Sequence, residues 1–286
     1  MHNAQSARYV VPLVLVAGLC GCNPESPGTR GPLPDGGVAA GGPAAKILDV
    51  FFGLDDALPV RAGRLCPGAG GRDGMPVTFS VRVTPAKPSP GAFRVTTRSG
   101  ATHTPLCAML RPADDPGERH TVLLMGEFGD AADPPIKLDI VGSVPLDSGG
   151  DAAGLSSTQV TPLSAGPSLL IASRYAPADL KGTSCPRPAT VQIVQITWSG
   201  GVTRPGGGDP GDAERTRIHV SVANPGGEAQ EVTPLALADL GDDDNYIQLC
   251  LGDTRTPVSV RAEAGILVDP RGDPNGATSV DVTPGR

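Results

Sequence analysis

Apolar and polar residues alternate in short runs through most of the chain. Val77-Thr78-Phe79-Ser80-Val81-Arg82-Val83-Thr84 puts four apolar side chains on one face. That period of two predicts a half-buried β-strand. Ile136–Ile140, Ile218–Val222 and Val258–Ala262 alternate in the same way, and Ile47–Phe52, Phe93–Thr97, Val191–Trp198 and Ile247–Leu251 are further extended candidates. Thr121–Met125 (TVLLM) is apolar after its first residue, as expected of a central strand covered on both faces. Leu169–Ala172 is placed as the run that closes the first half. No stretch carries a helical period, and Ala236–Leu240 holds at most a turn. The runs are separated by clusters drawn from 39 glycines and 31 prolines, which read as turns. Many short strands joined by such turns predict an all-β fold of two consecutive β-sandwich, immunoglobulin-like domains, at 46–178 and 179–286.

The order of features repeats. Cys66-Pro67 before a strand is echoed by Cys185-Pro186. Phe93–Thr97, then Thr104-Pro105-Leu106, then Asp114-Asp115 is echoed by Ile218–Val222, Thr233-Pro234-Leu235 and Asp242-Asp243. A self-similarity this long predicts a diverged duplication of a domain and not a solenoid of short units.

The amino-terminal stretch differs from this pattern. Arg8 is followed by an uncharged run from Tyr9 to Leu19. As a helix, eleven residues rise about 16 Å, too short for a bilayer core of about 30 Å. A positive start, a short apolar run and small residues after it mark a secretory signal. The run ends in Leu19-Cys20-Gly21-Cys22, which resembles the lipobox of bacterial lipoproteins: an apolar residue, a small one, Gly or Ala, then the lipidated Cys. Cys20 is a departure from the usual small residue. The resemblance covers residues 1–22 only. It implies a signal peptide over 1–21, lipidation of Cys22 and tethering to a membrane facing the periplasm or the cell surface. The diacyl modification would supply the two chains that stable anchoring needs. Residues 22–45 have almost no large apolar side chain and read as a disordered Pro/Gly tether reaching about 25 Å.

Beyond Cys20 and Cys22 there are four cysteines: Cys66, Cys107, Cys185 and Cys250. An even number in an exported chain predicts two disulfides, with three possible connectivities. One bridge per half, Cys66–Cys107 and Cys185–Cys250, is the economical pairing. Cys107 does not align with Cys250 in the repeat, so crossed pairings stay open. No Cys-x-x-Cys is present, which argues against zinc or redox motifs.

The net charge is −7 and no basic run follows Arg8. That argues against nucleic acid as a partner. The sharpest acidic feature is Asp239, Asp242 and Asp244 before one strand, with Asp269 and Asp273 after another. Loops rich in Asp at a sandwich end can supply the oxygens that calcium takes, so calcium is the candidate cofactor. The same residues are also ordinary turn formers. The histidines His103, His120 and His219 are scattered, with no metal-binding spacing, and no Gly-x-Ser-x-Gly occurs. Trp198 is read as core. The sequence therefore points to a lipid-anchored envelope protein acting as a non-enzymatic binding or structural module for another envelope protein. A secreted hydrolase with a dispersed site is the alternative.

Overall fold

The computed structural model describes residues 44–285 except 116 and 243. The expected signal segment, Cys22 and the expected tether as far as residue 43 lie outside the described residues. The described chain is all-β. No helix among the described residues is long and apolar enough to cross a membrane.

The first half contains β1 (Ile47–Phe51), β2 (Asp73–Phe79), β3 (Phe93–Thr97), β4 (Thr102–His103), β5 (Cys107–Met109), β6 (Thr121–Gly126), β7 (Pro135–Ile140), β8 (Ser156–Ser157) and β9 (Val160–Thr161). They form a five-stranded sheet, β5-β6-β2-β1-β9, and a four-stranded sheet, β4-β3-β7-β8. The alternation explains the packing. Met75, Val77 and Phe79 of β2 and Val122 and Leu124 of β6 share a buried core with Phe93 and Val95 of β3 and Leu138 and Ile140 of β7. Two sheets that each bury one face against the other make a sandwich.

The second half contains β10 (Leu169–Tyr175), β11 (Gln192–Trp198), β12 (Ile218–Ala223), β13 (Ala229–Val232), β14 (Ala236–Ala238), β15 (Tyr246–Leu251), β16 (Pro257–Ala262) and β17 (Thr278–Pro284). They form one curled sheet of eight strands, β13-β12-β16-β17-β10-β11-β15-β14. It closes on Val194, Ile196, Trp198, Val220, Ile247, Leu249 and Val260. β17 serves both layers: Thr278–Asp281 pairs with β16 and Val282–Pro284 with β10.

The two halves have the same topology. The order β14-β15-β11-β10-β17 repeats β5-β6-β2-β1-β9, and β13-β12-β16-β17 repeats β4-β3-β7-β8. In each half the first strand pairs in parallel with the last, β1 with β9 and β10 with β17. Registers agree as well. Thr78 faces Thr121 where Thr197 faces Tyr246, and Cys107 faces Met125 where Ala236 faces Cys250. The one break is local. Three positions separate Ser157, opposite Leu138, from Val160, whereas two separate Val280, opposite Val260, from Val282. That extra residue splits one strand into β8 and β9.

Equivalent buried polar residues anchor equivalent loops. At the start of β2, Asp73 accepts the backbone N–H of Phe128 at 2.6 Å and of Asp56 at 2.9 Å. At the start of β11, Gln192 donates to the carbonyls of Asp253 and Arg255. The disulfides join Cys66 to Cys107 and Cys185 to Cys250, one in each half. Each sits in a small satellite core on the outer face of its sheet.

Three strands differ from the alternation. Leu169–Tyr175 opens the second half instead of closing the first, because its partners are β11 and β17. Ala236–Ala238 forms a strand, held by backbone pairing to Cys250–Gln248. β2 stops at Phe79. The chain then turns, and Val83 reaches the same core through a bridge to Leu146.

Candidate functional site

The halves meet through equivalent segments, the residues that lead into β6 and β15. The backbone N–H of His120 donates to the Tyr246 hydroxyl at 2.9 Å, and Asn245 Nδ2 donates to Thr121 Oγ1 at 3.0 Å. Asn245 Nδ2 also donates to the Trp198 carbonyl. Position 120 is equivalent to 245, and 121 to 246. The same equivalence appears in the ladders, where Phe79 N–H donates to His120 carbonyl and Trp198 N–H to Asn245 carbonyl, both at 2.8 Å. The contacts are thus reciprocal, as in an interface with a two-fold axis. Nearby, the Tyr175 hydroxyl donates to the Gly117 carbonyl at 3.4 Å. Gly117 has φ +94°, and a Cβ there would lie 2.8 Å from Leu180 Cδ2, so only glycine fits.

Acidic residues collect around this junction. Asp115 and Glu118 come from the loop before β6; Asp239, Asp242 and Asp244 come from the equivalent loop before β15. They form two groups of three carboxylates that share Asp242: Asp115, Asp239 and Asp242, and Glu118, Asp242 and Asp244. Within each group the oxygens lie within 4.8 Å of one another. The loop geometry that permits this includes positive φ at Asp239 (66°) and at Gly241 (95°).

Three of these carboxylates are fixed from one side. Glu118 Oε2 accepts the Asp115 N–H at 2.8 Å, Asp244 Oδ1 accepts the Tyr246 N–H at 2.7 Å, and Asp239 Oδ2 accepts Gln248 Nε2 at 3.0 Å. Gln248 is itself held by the Thr183 hydroxyl at 2.6 Å. The opposite oxygens of two of them, Glu118 Oε1 and Asp244 Oδ2, are buried without a hydrogen-bond partner. Burial raises the carboxyl pKa values of Glu118, Asp239, Asp242 and Asp244, and neighbouring carboxylates push the same way.

A cavity of about 610 Å³ adjoins the cluster. Its walls include Leu58, Leu65, Met109, Leu123 and Met125 from the outer face of the first half's sheet and the loop above it, Val202 from the second half, and Asp242, Asp244 and Asn245. Arg61 and Arg64 line the cavity beside Asp242 and Asp244. The only hydroxyl side chains among its described lining residues are Thr121 and Thr203, and no Ser, Cys or His is among them. A Ser–His or Cys–His nucleophile pair is therefore not assembled there.

Of the five acids expected from sequence, Asp239, Asp242 and Asp244 come together, whereas Asp269 and Asp273 belong to neither group. Asp269 Oδ1 accepts the N–H groups of Arg271 and Asp273, each at 2.9 Å, and so builds its own turn. Asp115 and Glu118 were not legible as partners, since they lie more than a hundred positions away. The only hint was the Asp114-Asp115 echo of Asp242-Asp243. His219 bonds Glu263 at 2.9 Å on the second half's surface, and Trp198 is fully buried. Comparison of the sequence with protein-family models and with curated proteins returned no match.

Proposed function

We propose that the chain is an exported, lipid-anchored envelope protein that acts as a non-enzymatic binding module, with another envelope protein as its partner. Exposed apolar side chains, one of them Leu65 in the cavity wall, support this reading. Val60 is 88% exposed, Leu65 50% and Leu106 48%, and the last two directly precede the bridged Cys66 and Cys107. Large exposed apolar side chains gathered in one place mark interaction surfaces. Two disulfides are compatible with an exported protein, because such bonds persist in oxidising compartments. A photo-crosslinker at Leu65 in the native envelope should give a discrete adduct that one at Val258 does not. Equal labelling from both positions, or none, counts against the reading. Cys22→Ser should release the protein from the membrane fraction and abolish acyl labelling; unchanged retention would defeat the anchor.

One observation favours the second reading, a secreted hydrolase: Asp242 and Asp244, both with raised carboxyl pKa values, line the cavity. Paired acids in a concave site are the machinery of general acid–base hydrolysis. Ester and glycoside substrates cleaved by the wild type and not by Asp242→Asn would establish it.

A further inference from the structure

We propose that Asp115, Glu118, Asp239, Asp242 and Asp244 form a calcium site that staples the two halves together at their reciprocal interface.

The argument rests on buried carboxylate oxygens that no N–H or hydroxyl donor reaches, in a cluster where Glu118 and Asp239 can bond each other only by sharing a proton. Glu118 is completely buried and Asp244 is 7% exposed, yet Glu118 Oε1 and Asp244 Oδ2 have no hydrogen-bond partner. Buried polar atoms are almost always paired, and leaving a carboxylate oxygen unpaired is costly. Each of these side chains is held by its other oxygen through a backbone N–H. Each side chain is therefore held in place, and both acids have a carboxylate oxygen within 4.8 Å of one from Asp242.

Protons or a cation could neutralise such a group. A proton on one acid can satisfy one neighbour. It cannot satisfy two overlapping groups of three, whereas a cation between the carboxylates draws all of them at once. The donor set selects the kind of cation. It contains carboxylates only, with no His or Cys, so it favours a hard ion over zinc or copper. The oxygens come from two irregular loops of different length. Calcium accepts six to eight oxygens in flexible geometry, whereas magnesium demands a near-ideal octahedron and gives up its waters reluctantly. Exposed Asp115 and Asp242 leave room for entry from solvent and for water to complete the shell.

The consequence is coupling between the halves. Asp115 and Glu118 belong to the first half, and the three aspartates to the second. A cation held by both stabilises their association in addition to the Thr121–Asn245 and His120–Tyr246 hydrogen bonds. This goes beyond the binding-module reading and is tested separately from it.

The test uses the full chain after dialysis against EDTA. Calorimetric titration with calcium should show saturable binding, and millimolar calcium should raise the melting temperature by about 5 °C or more, with magnesium giving less than half that shift. Glu118→Gln and Asp242→Asn should each lose the calcium-dependent shift. In EDTA they should melt near the wild-type temperature, since each amide keeps the shape and the carbonyl acceptor of the acid it replaces, which shows that they fold. Asp273→Asn, outside the cluster, should keep the full response. Absence of both heat and melting shift at millimolar calcium would overturn the proposal. So would a shift of wild-type size in Glu118→Gln and Asp242→Asn.

Discussion

Asn245 Nδ2 lies 3.0 Å from Thr121 Oγ1, joining residues 124 positions apart in the chain. Both are almost fully buried; Thr121 begins β6, and Asn245 directly precedes β15, the strand related to β6 by the internal repeat. The same amide donates to the Trp198 carbonyl. Asn245→Ala therefore takes the side-chain donor from the buried Trp198 carbonyl and leaves the Thr121 hydroxyl with Thr78 Oγ1, at 3.2 Å. The expected loss is about 2–3 kcal/mol, read from urea denaturation. A loss below about 0.5 kcal/mol would mean that water replaces the amide.

Phe51 of β1 packs against Gly200, beyond β11 in the other half. A Cβ on Gly200 would stand 2.6 Å from Phe51 Cδ1, and the ring is 1% exposed, so it has little room to yield. Gly200→Ala should cost about 1–3 kcal/mol. Phe51→Leu, which removes the ring, should make the glycine substitution cheaper by at least about 1 kcal/mol in a double-mutant cycle. Additive losses would show that the contact does not couple the halves.

Asp49 gives a pH dependence whose sign is fixed by its surroundings. Burial pushes its carboxyl up to about 6, partly opposed by the Thr161 hydroxyl, which donates to Oδ1 at 2.8 Å. The folded value is above the unfolded value of 3.8. The protonated form therefore contributes stability that is fully present below about pH 4 and lost as pH rises through about 6. Asp49→Asn keeps the acceptor for Thr161 and cannot ionise. It should match the wild type near pH 4 and exceed it above pH 7 by up to about 3 kcal/mol. Equal stability at both pH values would show that the ionised carboxylate is solvated.

The disulfides occupy related places without being equivalent. Cys185 is bridged to Cys250, whose counterpart in the first half is Met125, the direct cross-strand neighbour of Cys107. Met125, Cys107 and Cys66 share one satellite core. In the double variant Cys107→Ala/Met125→Cys, the introduced thiol should pair with Cys66. Intact-mass analysis with and without reductant would show the bond. Loss of the bridge altogether should cost about 4 kcal/mol, since it closes 41 positions of chain. Two free thiols in the oxidised double variant would refute the correspondence.

This shift of one strand also shows why the repeat was only partly legible in the sequence. Cys66-Pro67 and Cys185-Pro186 align, but their partners do not, so the cysteines argue both for and against duplication until the strand order is seen. The alternating runs revealed their strands because Leu138 and Ile140, Ile218, Val220 and Val222, and Val260 with Ala262 are buried, although Ile136 and Val258 at the starts of two runs are exposed. Ala236–Ala238 left no such mark, since its pairing to β15 is a matter of backbone and not of side-chain period. The acidic cluster was half legible for a similar reason. Asp239, Asp242 and Asp244 are close in sequence, whereas Glu118 joins them only because the two halves fold onto each other.

The reciprocal contacts around His120, Thr121, Asn245 and Tyr246 have an ancestral reading. Equivalent surfaces that face one another are what two separate copies of a single half would bury on forming a symmetric dimer. Joining the copies in one chain makes their encounter intramolecular and independent of concentration. It also releases each copy from having to match itself. The cavity wall at Leu65 and the aspartates before β15 are then specialisations that a symmetric pair would have been forced to carry twice.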